Sequence, residues 1–206
     1  MADHFLQTLM TPPVLAAQRD YYGLAQVPPQ GASTDTMGEE ERLFIEARDS
    51  FYLASVSPDG WPYIQHRGGP PGFLRVAAPN RIAFADFRGN RQLLSTGNLS
   101  VSDRVALFLM DYPNRTRLKL LGRARVLDAR QHPDRVRDLA PSSLRNRVER
   151  VFEIEVESLD WNCPQFITPR YTAAEVQHLL TPLRQRISEL EAALRKDSTV
   201  PLPENI

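Results

Sequence analysis

Cysteine is nearly absent from this chain: Cys163 is the only one in 206 residues, so no disulfide can staple the fold internally. Stability must come from an apolar core, which a chain of this length can bury, and a reducing compartment is expected. No apolar run approaches the ~20 residues that cross a bilayer. The opening Met1-Ala-Asp-His-Phe-Leu6 lacks the basic-then-apolar layout of a secretion signal. Charge of either sign is not in excess, with 25 Lys+Arg against 25 Asp+Glu, which argues against a chain built to cover nucleic acid. These absences predict a cytoplasmic protein with neither a membrane nor a nucleic-acid partner. His4, His132 and His178 have no partners at metal-ligand spacing, so no metal site is expected. Neither a Gly-x-Ser-x-Gly elbow nor a P-loop occurs.

What the chain does have is a succession of short apolar runs separated by turn residues. Residues 51–56 read as a strand, Ser57-Pro-Asp-Gly60 as a turn and residues 61–67 as the return strand of a hairpin. Gly68-Gly-Pro-Pro-Gly72 interrupts the ladder, because its prolines donate no hydrogen bond. Further strands are expected at 73–77, 82–85, 105–110 and 118–126, with a helical turn within 93–99. Phe152, Ile154 and Val156 alternate with Glu153, Glu155 and Glu157, the period of a strand with one wet face. Six or seven such strands, with no room for helices between the first hairpins, predict a mainly β (α+β) protein: an antiparallel split β-barrel with flanking helices.

Helical pattern is confined to the ends. Residues 3–10 fit a short helix that Pro12 and Pro13 would stop. Thr36-Met-Gly-Glu39 has the composition of a capping box, with Leu43, Phe44 and Ala47 on one face of a helix over 38–49. From Ala173 to Lys196, leucine and isoleucine recur at spacings of three and four, an amphipathic helix with coiled-coil-like periodicity. Its apolar face could cover its own domain or a second subunit. The organisation expected is an N-terminal extension (1–37), a barrel domain (38–170) and a C-terminal helix and tail (171–206).

The chemistry-bearing residues sit at two strand ends. Arg67 closes the second strand, and Arg88-Gly-Asn-Arg91 follows the fourth. Guanidinium groups at both places can converge on one phosphate, with Gly89 allowing close backbone approach. His66 is a candidate base, but adjacent strand residues face opposite ways, so it would point away from whatever Arg67 touches. Cys163 has no activating base in view and reads as a packing residue. Arg145, Arg147 and Arg150 beside Glu149 read as a solvated helix face.

These stretches carry a resemblance. Residues 43–126, through Phe51-Tyr-Leu-Ala-Ser-Val-Ser-Pro-Asp-Gly-Trp-Pro-Tyr63, Ile82-Ala-Phe-Ala-Asp-Phe-Arg-Gly-Asn-Arg91, Asp103-Arg-Val-Ala-Leu-Phe108 and Leu120-Leu-Gly-Arg-Ala-Arg-Val126, resemble the pyridoxamine 5'-phosphate oxidase-like family of FMN-binding split barrels. The resemblance implies a homodimer with FMN in two interfacial clefts and a small-molecule substrate. It puts Gln65 near the flavin ring, Arg67 at the phosphate and Ala85 and Asp86 at a cofactor-touching strand end. It makes Asn90, Arg91 and Gln92 the phosphate turn, Arg117 a flavin contact, and Trp161 and Arg170 residues that close over the ring. Gln92 stands where the oxidases carry lysine, with Arg88 as a replacement. The segment Cys163-Pro-Gln-Phe-Ile-Thr-Pro-Arg170 replaces the family's basic, histidine-bearing substrate motif. The resemblance therefore implies an FMN-dependent oxidoreductase on an unidentified small molecule. The alternatives are deazaflavin or haem in the same barrel, or a flavin-binding sensor without turnover.

Overall fold

A computed structural model of the chain describes residues 3–31, 33–162 and 164–197. Seven strands form one antiparallel sheet: β1 (Ser50–Val56), β2 (Pro62–Gly68), β3 (Leu74–Ala78), β4 (Arg81–Phe87), β5 (Arg104–Asp111), β6 (Thr116–Asp128) and β7 (Val148–Asn162). Their order is β2-β1-β5-β6-β7-β4-β3, so β2 and β3 are the two edges and the barrel stays open between them. The sheet is the split barrel expected from the run of short strands.

Curling this sheet puts one apolar face inside. Phe84 stacks on Phe152 at 4.9 Å and meets Phe51 edge-on at 5.2 Å, while Leu53, Leu107, Leu118 and Leu120 are fully enclosed around them. Such rings each bury ~150–250 Å². β4 is covered on both sides. Its Ile82 and Phe84 face the barrel core, and Ala83 and Ala85 lie under the helix α5 (Pro133–Leu139) with Val136 and Leu139. Asp86 continues the inward series of Ile82 and Phe84, as strand alternation requires. Where β6 bends across β7, a Cβ on Gly122 would stand 2.3 Å from the Glu155 carbonyl oxygen. Only glycine lets the two backbones approach so closely at this register shift.

The short helices expected at 3–10, 38–49 and 93–99 are present, while other expectations are corrected. Pro12 and Pro13 begin a helix, α2 (Pro12–Tyr22), that follows α1 (Asp3–Leu9); at the first helical positions a missing N–H costs nothing. Helix α3 (Glu39–Glu46) is capped at Gly38, whose N–H donates to the Glu41 carboxylate at 2.9 Å. Its buried residue is Ile45, and Leu43 is exposed. The helical turn after β4 is α4 (Leu94–Leu99). Arg145 and Arg147 form one 3-10 turn and Arg150 belongs to β7, so no helix face unites them. Glu153 is not on a wet face: it is 2% exposed and ion-paired to Arg125 and, at 2.5 Å, to Arg135. Helix α6 (Ala173–Asp197) continues through Pro182. No helix among the described residues is long and apolar enough to cross a membrane.

Candidate functional site

The open edge of the barrel becomes a cleft because β2 has no neighbour beyond it. Along β2 the half-buried residues are Tyr63, Gln65 and Arg67, while Ile64 and His66 are exposed. His66 packs its ring edge-on against Tyr52 at 5.7 Å, on the side away from Arg67.

Arg67 reaches across the split. Its guanidinium donates to Asp86 Oδ1 at 2.5 Å and lies over the Phe152 ring at 4.9 Å. The other Asp86 oxygen accepts from Arg150 Nε at 2.8 Å, because the β4–β7 register sets Asp86 opposite Arg150. The three side chains are 11%, 9% and 18% exposed. Asp86 thus bridges two guanidinium groups in a sheltered place. Burial pushes the Arg67 guanidinium below its ordinary value; Asp86 opposes the shift and Arg150 reinforces it. The buried Arg67 Nε has no acceptor. Arg150 also donates to Glu149 at 3.1 Å, so the unmet hydrogen-bonding capacity of this group lies at Arg67.

The loop after β4 supplies the rim. Arg88 approaches Glu149 at 3.6 Å and is mostly exposed. Asn90 Oδ1 accepts from the Gln92 N–H at 3.1 Å, closing an Asx turn, and Asn90 Nδ2 donates to Gln92 Oε1. That turn holds Arg91 at φ 62° and Leu93 at φ 57°, the left-handed region in which L side chains are strained. Arg91 makes no ion pair among the described residues. Opposite it, Gln65 Oε1 accepts from the buried Ser95 hydroxyl at 2.9 Å, which fixes the amide and leaves its NH₂ free to donate.

Together these residues line a cavity of about 330 Å³, within the ~300–1,000 Å³ of small-molecule sites. Of the expected site residues, the structure gathers Gln65, Arg67, Ala85, Asp86, Arg88, Asn90 and Arg91 around it. The Ala85 methyl is buried beneath α5, so this residue offers backbone only. Gln92 is not in the lining; its amide is turned onto Asn90.

Three expected residues lie elsewhere. Trp161 Nε1 donates to Glu41 at 2.8 Å, with its ring against Phe44. Arg170 covers the Tyr112 ring at 5.0 Å in a separate hollow of about 400 Å³ beside the Arg48–Asp111 ion pair. Arg117, on β6 opposite Met110, has a buried Nε with no acceptor. Cys163 lies outside the described residues. Arg150 is the principal residue that sequence reasoning missed. Extending the Phe152-Ile154 alternation back by two positions would have placed it on the inner face.

An open antiparallel barrel with an arginine-rich cleft at its split defines a split-barrel protein. The sequence pattern described as pyridoxamine 5'-phosphate oxidase matches residues 37–162, more than half of the chain, and the chain belongs to that family. No curated protein sequence matches it. Among solved structures it is similar to a putative pyridoxamine 5'-phosphate oxidase of Lactobacillus delbrueckii (23% identity, 62% of this chain and 95% of that one, TM-score 0.48). It is also similar to an FMN-binding protein of Syntrophomonas wolfei (14%, 59% and 83%, TM-score 0.46). A third similar structure is HupZ of Group A Streptococcus (12%, 66% and 99%, TM-score 0.47).

Proposed function

We propose that the cleft holds the phosphate end of FMN and that the protein is an FMN-dependent oxidoreductase acting on a small molecule. The observation that carries this reading is the charge count at the split: Arg67, Arg88, Arg91 and Arg150 line the cleft and meet two carboxylates, Asp86 and, just behind the rim, Glu149. A dianionic phosphate corrects that imbalance. Arg91, without a carboxylate partner, and Arg88, with a distant one, are the direct donors; such charge-assisted bonds contribute ~1.5–3 kcal/mol each. Arg67 and Arg150 act from below, their positions fixed by Asp86 and, for Arg150, by Glu149 as well. The Gln65 amide, pinned by Ser95, presents a donor toward the ring. When bound, FMN supplies two-electron acceptance and release at its isoalloxazine ring, and the protein orients it and excludes water.

Arg117, Trp161 and Arg170 fit the same reading if the cleft is shared by two subunits. One chain then contributes the phosphate half, and a second copy contributes these three residues to close the ring half. A homodimer is accordingly part of the proposal.

Mass spectrometry of the ligand released on denaturation tests the cofactor. FMN at one per chain is the expected result; a tetrapyrrole or a deazaflavin in its place overturns the assignment. Anaerobic reduction by NADH or NADPH, followed by reoxidation with small-molecule acceptors, tests turnover. A flavin that no acceptor reoxidises would mark the protein as a binder.

A further inference from the structure

Helix α6 is a long element that the barrel does not cover. From Ala173 to Arg195 every residue except Leu180 is exposed, including Leu183 at 60% and Ile187 at 56%. A helix this isolated is marginal in water, and an apolar stripe on it calls for a partner. The stripe has a strict form. Val176, Leu180, Leu183, Ile187, Leu190 and Leu194 alternate spacings of four and three, the seam of a heptad coiled coil with Leu180, Ile187 and Leu194 at a and Val176, Leu183 and Leu190 at d. Pro182 then falls at c, on the outer face, where its ring does not obstruct the seam.

The flanking charges determine the occupant and its direction. Arg186 is at g, and Arg184 and Glu191 are at e. In a parallel pair of identical helices, g meets the following e of the other strand, so Arg186 faces Glu191 of the second copy twice over. In an antiparallel pair with the same seam, e meets e and g meets g near the centre. That arrangement opposes Arg184 to Arg184 and Arg186 to Arg186. Glu191 has no ion pair among the described residues, and Arg186 holds only an exposed contact to Glu189 at 3.1 Å, worth little and readily exchanged. At the centre of the seam, Ile187 at a flanked by Leu183 and Leu190 at d is the arrangement that favours two strands, and parallel pairing of one surface with its own copy closes at a dimer.

We infer that α6 is a self-association element that pairs with α6 of a second copy of this chain as a parallel, two-stranded coiled coil. The inference stands independently of the cofactor, since none of these residues lines the cleft.

Because a barrel-mediated dimer would look identical by mass alone, the test must read the helix itself. In the full chain carrying Cys163→Ser, Ile187→Cys places a thiol on the seam and Gln185→Cys places one on the outer face. Under mild oxidation the seam variant is expected to yield about tenfold more disulfide-linked dimer than the outer one, as thiol proximity dictates. Arg186→Glu on the seam variant should cut that yield, and adding Glu191→Arg should restore it. Equal yields at the two positions overturn the inference, as does a light-scattering dimer with no linkage through the seam. A higher yield from mixed Leu180→Cys and Leu190→Cys chains than from the Ile187→Cys chain alone would also overturn it. None of these outcomes bears on whether FMN is released from the same preparation.

Discussion

Arg91 carries two opposing roles in one residue. Its guanidinium lines the cleft with no ion pair among the described residues, and its backbone sits at φ 62°, where glycine would be at ease. Left-handed backbone at a non-glycine residue costs ~1–3 kcal/mol and persists where function needs the side chain. Arg91→Gly should therefore raise stability by about 1 kcal/mol while weakening FMN binding by about 1.5–3 kcal/mol. Thermal unfolding of the apoprotein reads the first change and fluorescence titration with FMN the second. Loss of stability with unchanged affinity would reverse both assignments. Glu153 supports a pH prediction. Burial alone would raise its carboxyl, but the hydrogen bond and charge of Arg125, together with Arg135, hold it below the ordinary 4.5. Because its folded value is depressed, its contribution to stability is complete above 4.5 and is lost as the pH falls through the lower, folded value. Wild-type thermal stability should drop across that acid range. Glu153→Gln should start lower at neutral pH and decline less steeply; parallel curves for the two proteins would count against it.

At the scale of elements, the strands were legible because each is a short apolar or alternating run between turn signals. Ser57-Pro-Asp-Gly60 turns as its composition dictates, the Gly60 N–H donating to the Ser57 carbonyl at 2.9 Å. Helix α5 was not legible: seven residues give too little pattern to show a 3.6 period, and its role is to shield Ala83 and Ala85 on the outer side of β4. The Gly122 crossing was equally silent, since a glycine in a strand does not announce which backbone lies over it. Gly122→Ala must push β6 and β7 apart, at a cost of about 1–3 kcal/mol. The urea midpoint should fall with an unchanged slope, and an unaltered midpoint would mean that the crossing is looser than 2.3 Å implies.

For the whole molecule the decisive question is whether one cleft needs two chains. The phosphate-side residues surround one cavity, whereas Arg170 lies in a hollow of its own with Tyr112. Under the shared-site proposal, Arg91→Ala and Arg170→Ala damage opposite halves of each site. Mixing the two defective proteins after subunit exchange should restore about one quarter of the wild-type FMN sites, because half the dimers are mixed and each contains one intact cleft. No recovery after demonstrated exchange would place both residues in one subunit's site or remove Arg170 from it.

Composition and alternation alone determined that this chain makes a disulfide-free antiparallel sheet with arginines at two strand ends, because side-chain period and turn chemistry are local properties. The tertiary structure decided what those arginines do. Asp86 finds Arg67 19 positions away and Arg150 64 positions away, contacts fixed by the β4–β7 register and by the curl that brings the free edge of β2 over β4. No local pattern encodes either distance, so the arginines bridged by Asp86 at the base of the cleft and Arg91 at its rim come together only when the sheet closes on itself.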